Sequence, residues 1–581
     1  MNITKNDFSF GRYKSDIKKK IKSFENTEIP ERIFKKDFTV WKESPEYEQL
    51  IKNRLGWLLL PVTMQEKADE IDSFVSEIRK SGFEYAVVMG MGGSSMCPEV
   101  CRDTFGVRKG YLNLFVLDST DPQSVTDIEN SIDISKTLFI VSSKSGSTIE
   151  VDSFLRYFFA KTEEIFSEDA GSRFIAVTDP GTYLDSLSTE LGFRKTFVNP
   201  ADIGGRYSAL SFFGLVPAAL IGVDVKRFLK KAEDVMNMCF EDSFFKNIGF
   251  STGVITAYLS EFGVDKLTFV LSDKIKSFGY WVEQLIAEST GKEGKGILPI
   301  EGENTGKANS YSRDRFFVNI YLKKDKNKNK NKNRVRFLAK KKYPVLNIEI
   351  DELYDLGGLF YLWEFATAVM GYAMDINPFD EPNVKESKDN TSKVLKYYEE
   401  NKKLPEQAAI SENKKIKLYS GKESDTLNLL SFKKDKVKIS EVMKYFTDQY
   451  TAGDYFAIMA YLNRTEKTDI LLQELREILR SNFKSATTVG YGPRFLHSTG
   501  QFHKGGPDKG MFIQIVCDDK TDIEIPGKNF SFSILKQAQS EGDFESLQKH
   551  DRRVLKFSTG KDINKGLKEI IKQFRKALKN K

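Results

Sequence analysis

Residues 85–95, YAVVMGMGGSS, read as a buried strand that runs directly into a glycine-rich turn. The first five positions carry no charge. The glycines that follow let a backbone pass close to a neighbour or a ligand, and the serines can open a helix. Three more short β-rich runs follow, at 112–117, 138–141 and 174–177, and most are separated by segments long enough for helices. Buried strands alternating with helices imply a parallel sheet covered on both faces. Ligands of such sheets sit beyond the C-terminal strand ends. The polar and glycine-rich residues 90–95 and 142–148 fall there.

Working outward, a second set of strands is expected at 267–271, 316–321 and 345–348, and a third at 455–460, 486–489, 512–516 and 554–557, with a helix over 470–479. Residues 359–374, LFYLWEFATAVMGYAM, are apolar nearly all round and predict a buried helix ended by Pro378. Residues 1–80 look helical, and the polar stretch 390–440 suggests a connecting region. The division expected is 1–80, a helical segment; 81–235 and 236–400, two α/β domains; and 401–581, a C-terminal α/β unit.

The chain has 581 residues and 40% apolar content, ordinary for a soluble globular protein. No run approaches a membrane span, and the polar start lacks the apolar core of a signal peptide. The cysteines at 97, 101, 239 and 517 are sparse and lack paired zinc-ligand spacing, which suits a reducing cytoplasm. Residues 323–334, KKDKNKNKNKNR, hold six of the seven net positive charges. They have nothing apolar to bury and read as a solvated loop. The remainder is nearly neutral, which disfavours nucleic acid or a membrane surface as partner.

Four stretches carry chemistry. GMGGSS at 90–95 opens a helix, whose N-terminus attracts anions; Gly93 and Ser94 lie in it. SSKSGST at 142–148 offers five hydroxyls and the cation of Lys144, a set suited to a phosphate. GGRYS at 204–208 presents Arg206, which stays charged and can stabilise an anionic intermediate. Residues 281–295, WVEQLIAESTGKEGK, begin as an amphipathic helix with Trp281, Leu285 and Ile286 on one face and end on ESTGK. Glu288, held near a helix end, is a candidate base, with Glu283 its rival.

These motifs, in this order, together with NPFDEPNVKESK at 377–388, resemble the phosphoglucose isomerase family, which is built from two sugar-isomerase (SIS) domains. The stretches LHSTGQFHKGGP, PGKNFSFSIL and AQSEGD extend the resemblance through the third unit, towards the isomerase part of transaldolase–phosphoglucose isomerase fusions. No room remains for a transaldolase barrel, which needs about 250 residues. The resemblance implies two parallel-sheet SIS domains plus the C-terminal unit. It implies interconversion of glucose 6-phosphate and fructose 6-phosphate without metal or other cofactor, in the cytoplasm, and a possible homodimer. It implies that Glu288 is the base, that Arg206 stabilises the enediolate, and that Ser143, Lys144, Ser145 and Thr148 bind phosphate. Gly93 and Ser94 would lie near the sugar, and Lys388 would match the last family lysine.

Two departures stand out. Glu381 replaces the family's glutamine after FD, and the last motif ends in Lys385-Glu-Ser-Lys388. No histidine lies between ESTGK and NPFD, where the family keeps its ring-opening histidine. His497, in LHSTGQ, is the substitute expected to fold back to Glu288, with His503 as rival. The alternatives are a sugar-phosphate-binding regulator on the same fold, which needs no base, and an isomerase of a related sugar phosphate. Only three histidines exist, and none forms a metal-binding pair.

Overall fold

The computed structural model describes residues 4–24, 27–325, 328–420 and 437–579. Strand β1 (Phe8–Ser9) lies in the N-terminal segment. It is followed by β2 (Tyr85–Gly90), β3 (Asn113–Leu117), β4 (Thr137–Ser142), β5 (Phe174–Thr178) and β6 (Lys195–Val198). These last five form an all-parallel sheet of order β3-β2-β4-β5-β6. The chain leaves β2 towards one edge and returns past it to β4. The crevice between the C-terminal ends of β2 and β4 is therefore the switch point at which such sheets hold ligands. The loops GMGGSS and SSKSGST leave from these two strands.

The second sheet repeats the plan. It contains β7 (Lys266–Leu271), β8 (Leu298–Ile300), β9 (Arg315–Leu322) and β10 (Val345–Ile350), in order β10-β9-β7-β8. The third does so again with β13 (Tyr455–Tyr461), β14 (Ala486–Tyr491), β15 (Gly510–Val516) and β16 (Arg553–Ser558), in order β16-β15-β13-β14. Two short antiparallel strands, β11 (Ser411–Glu412) and β12 (Lys417–Ser420), extend its β16 edge. The protein is thus α/β, with two parallel-sheet sandwiches and a third α/β unit, as expected.

Several expectations need correction. Residues 1–80 are mostly helical, but β1 pairs antiparallel with β10, so this segment completes the second sheet. Its Trp57 stacks on Tyr207 at 5.2 Å between ring centroids, behind Arg206. The short strands β6, β11 and β12 carry too little apolar sequence to be read as strands, and β8, though apolar, is three residues long and centred on Pro299. Residues 390–401 are not an open linker: they belong to the helix Pro382–Asn401, whose Asn390, Thr391, Val394 and Leu395 are buried, and Asn390 Nδ2 donates to Ser546 Oγ at 2.9 Å. Residues 421–436 of that expected connector lie outside the described residues. The Lys/Asn run is not all loop either, because a helix spans Lys328–Lys340. Val335 and Leu338, just beyond the run, are buried and anchor it.

The helix Asp355–Ala373 is buried continuously from Asp355 to Gly371. Beside it lies the helix Phe278–Thr290, read above as amphipathic. In the fold every residue of it except Tyr280 is buried. Its apolar face meets Phe360, and the third unit covers its polar face. That polar face is the floor of the site.

Candidate functional site

Glycines let three elements close on one point. Gly92 adopts φ +58°, and a Cβ there would lie 2.8 Å from Gln284 Nε2 and 3.2 Å from the His497 carbonyl. A Cβ on Gly93 would stand 1.9 Å from the Gly205 carbonyl oxygen. The GMGGSS turn therefore touches GGRYS, the Phe278–Thr290 helix and the His497 turn at once. Ser94 is buried, and its carbonyl accepts from Ser142 Oγ at 3.4 Å, which joins this loop to SSKSGST.

In SSKSGST, Ser143 Oγ and Thr148 Oγ1 lie 3.1 Å apart, and Ser143 Oγ accepts from Gly146 N. Ser145 and Ser147 are exposed. Thr148 precedes the helix Ile149–Phe166 without capping it through its side chain, so that N-terminus faces the loop. Lys144 is expected among the phosphate ligands, but here its ammonium pairs with Asp179 and donates to the Ala201 carbonyl. A cavity of about 210 Å³ is lined by Ser147, Thr148, Glu150, Lys388, His497 and Gln539, among others. Lys388 is exposed at its rim.

Arg206 is 2% exposed and fully engaged. Nε donates to Ser289 Oγ at 2.8 Å, and Nη2 donates to the Pro378 and Asp380 carbonyls. Nη1 stands 3.3 Å from Glu288 Oε1 and 3.0 Å from Glu381 Oε2. Burial pushes the Glu288 carboxyl above the usual range, Arg206 pulls it back, and the Glu381 charge pushes it up again. For Glu381, burial acts in the same upward sense, but the guanidinium outweighs it and the net shift is downward. Lys292, of the same ESTGK motif, donates to the Asp380 carbonyl and carboxylate at 2.6 Å; burial, aided by Arg206, lowers its pKa to about 8. Glu283, five positions before Glu288, points to another face of the helix and lines a different cavity.

The same chain brings His497 here. Gln284 Nε2 donates both to Glu288 Oε2, at 3.1 Å, and to the His497 carbonyl, at 2.8 Å. His497 Nε2 lies 3.0 Å from Glu150 Oε1, which also accepts from Gln539 Nε2. Burial raises the Glu150 carboxyl, but the facing imidazole more than offsets this and keeps it low. His503 is buried between Phe495 and Phe512, neither ring nitrogen has a partner among the described residues, and burial holds it well below the usual imidazole range. It lies off the site. His550 pairs with Glu386 at 2.7 Å.

Sequence reasoning missed Gln284 and Glu150. Gln284 could have been found, since it stands four residues before Glu288 on one helix face. Glu150 has no such signal, because its partner is 347 residues away. One group among the described residues, Asp121, Cys517 and Asp519, has ligand atoms close enough for a metal. The Lys536 ammonium sits among them, 2.9 Å from Asp121, and so takes a cation's place there.

The family described as phosphoglucose isomerase matches residues 64–302. A glucose-6-phosphate isomerase of Clostridioides difficile is 30% identical over 393 residues, covering 59% of this chain and 86% of that one. One of Carboxydothermus hydrogenoformans is 29% identical over 407 residues, with 60% and 86% covered. Among solved structures, a glucose-6-phosphate isomerase from Chlamydia trachomatis superposes with a TM-score of 0.51 at 18% identity, over 67% of this chain and 84% of that one. A Thermus thermophilus protein described as hypothetical gives 0.58 at 23% identity, over 68% and 99%. The sequence relatives carry the assignment, and the structures agree in fold: this chain belongs to the phosphoglucose isomerase family.

Proposed function

We propose that the chain interconverts glucose 6-phosphate and fructose 6-phosphate through an enediolate, by proton transfer and without a metal. The observation that carries this reading is the Glu288 carboxylate, 3.3 Å from a fully buried guanidinium and tied through Gln284 to the His497 turn. The substrate phosphate would sit on Ser143, Ser145, Thr148 and the helix N-terminus after them, where backbone N–H groups favour an anion. Lys144 would join by turning from Asp179. Gly93 and Ser94 would border the sugar.

His497, held by Glu150 through Nε2, leaves Nδ1 for the ring oxygen and would donate the proton that opens the ring. Histidine suits this because its unperturbed pKa is near neutrality. Glu288 would take the proton from C2 and return it to C1. Its raised pKa brings it closer to the operating pH, where a base that must also give its proton back works best. Arg206 would face the developing enediolate oxygen, a fixed cation in a water-poor site, the arrangement in which electrostatic stabilisation is strongest. Lys388, at the cavity rim, would screen the phosphate or a sugar hydroxyl. A base paired with an arginine is superfluous in a mere sensor, which weighs against the regulator reading.

We also read the third unit as kin to the isomerase part of the transaldolase fusions, on its LHSTGQFHKGGP and AQSEGD stretches. Every group named above comes from one chain, so activity per chain should hold on dilution. Loss on dilution would indicate a homodimer with shared sites. The deciding experiment is a coupled assay on fructose 6-phosphate before and after exhaustive chelation. Equal turnover supports the reading; turnover that needs an added divalent ion sinks the metal-free mechanism, and no turnover sinks the activity.

A further inference from the structure

A second cavity, of about 330 Å³, opens where the three sheets meet. Its walls follow C-terminal strand ends from all three: Asp118 and Ser119 after β3, Glu301 after β8, Arg464 after β13 and Gly492 after β14. Pockets of this size between units, at strand ends, are where α/β proteins place ligands. None of the roles proposed above falls on these residues.

The lining is graded. Arg464, 40% exposed, and Lys276, also exposed, stand at the mouth. Glu283 and Glu301 lie deep, each 8% exposed, beside Arg476 at 1%. The deep groups are under-used. Arg476 Nη2 donates to the Glu301 carbonyl at 2.6 Å, but its Nε and Nη1 have no partner among the described residues, nor does Gln473 Oε1. Burial, reinforced by Glu301, drives the Glu283 carboxyl well up, against the pull of Arg476 and Arg494. Buried polar groups left unpaired are costly, and a ligand that pairs them gains what they lack.

We propose that this cavity is a second ligand site for a small polyhydroxylated compound with one anionic group, of the sugar-phosphate class. The anion meets Arg464 and Lys276 at the mouth, and the hydroxyls meet Glu283, Glu301 and Gln473 within. A bare anion leaves the inner acids unanswered, and a neutral polyol brings no charge to Lys276 or to Arg464, whose Nε pairs with Asp469 at 3.2 Å and whose Nη2 donates to Tyr280 at 2.9 Å. Interleaved acceptors and donors are what a row of hydroxyls pairs with. The opposite wall is the turn that carries His497: Arg494, Phe495 and Ser498 line this cavity, and Arg494 is fixed to Glu99 and to Asp118, 3.3 Å away. A ligand here presses on the back of the His497 turn and so tunes ring opening. That last step rests on the proposed role of His497; the binding does not.

The test is equilibrium dialysis of the full chain with labelled glucose 6-phosphate, left to equilibrate with fructose 6-phosphate. Two molecules per chain are expected. Arg464→Ala with Gln473→Leu, one at the mouth and one within, should leave one molecule bound, with isomerase turnover at low substrate within twofold. Ser143→Ala with Thr148→Val should leave the other. One molecule per chain in the unsubstituted protein overturns the proposal, as does a stoichiometry of two that survives Arg464→Ala with Gln473→Leu. Inorganic phosphate should displace the second molecule at least tenfold less well than the sugar phosphate; equal displacement would reduce the site to an anion site and overturn the polyol assignment. These readings stand whether or not the chain isomerises its ligand.

Discussion

The side-chain amide of Gln284 reaches the backbone carbonyl of His497 at 2.8 Å, across 213 residues of chain. Because the same amide also donates to Glu288, the proposed base and the proposed ring-opening acid share one fixed strut. Their separation is set by a helix and a hydrogen bond, and a catalytic pair needs such rigid support.

Glu288→Gln keeps the shape and the amide contact but removes the base. Turnover should fall by about 10²–10⁴. Exchange of the C2 proton in deuterated water should vanish with it, while Glu283→Gln, altered in the other cavity, should retain exchange. Undiminished exchange in the Glu288 variant would assign proton transfer elsewhere.

Glu150 lies 3.0 Å from His497 Nε2, so in the proposed mechanism it is a positioning residue. Glu150→Gln should slow isomerisation of the ring-closed substrate, as His497→Ala does more severely. Both should largely spare C2 exchange in a straight-chain analogue. Equal loss in the two reactions would mean that His497 serves the proton transfer itself, and loss in neither would remove it from the mechanism.

The Glu381 charge raises the Glu288 carboxyl, and it draws part of the Arg206 field to itself. A base works only when deprotonated, so activity is lost as pH falls through its raised pKa. Glu381→Gln removes a repelling charge and frees the guanidinium for Glu288, and both effects lower that pKa. The acid limb of the kcat/KM profile should therefore move to lower pH. A shift to higher pH would refute the coupling.

Gly93→Ala tests the contact between GMGGSS and GGRYS. The new Cβ would meet a backbone oxygen at 1.9 Å, so the turn and the Arg206 loop must separate. Such overpacking costs about 1–3 kcal/mol, and the melting temperature should drop measurably, with turnover reduced beyond what the unfolded fraction explains. Full activity in the folded variant would show that Arg206 does not depend on this approach.

All eleven strands of five residues or more were legible in the chain as apolar runs, because fully buried parallel strands leave a simple mark. β6, with its exposed Val198, left none. The motif loops were legible too, since glycines and hydroxyls at strand ends have few other uses. What the chain hid is long-range pairing. Lys144 reads as a free cation, yet Asp179, 35 residues on, holds it. Glu150 reads as the first turn of an ordinary helix, and only the fold shows His497 opposite. The Lys/Asn run reads as loop because lysine and asparagine bury nothing, and the anchors that make it a helix, Val335 and Leu338, stand after it.

The helix Phe278–Thr290 carries a polar face that the third unit later covers. During synthesis, Gln284 leaves the ribosome roughly 10–40 s before His497 at ordinary elongation rates. Through that interval Gln284 and Glu288, already met on one side by Gly92 and Arg206, lack the His497 turn that closes over them. The amphipathic pattern, wrong for the finished molecule, is right for the growing one: a polar surface waiting for its cover does not invite aggregation. The nascent chain is therefore expected to remain soluble and inactive until residues near 500 emerge, and to gain activity only as the last α/β unit docks.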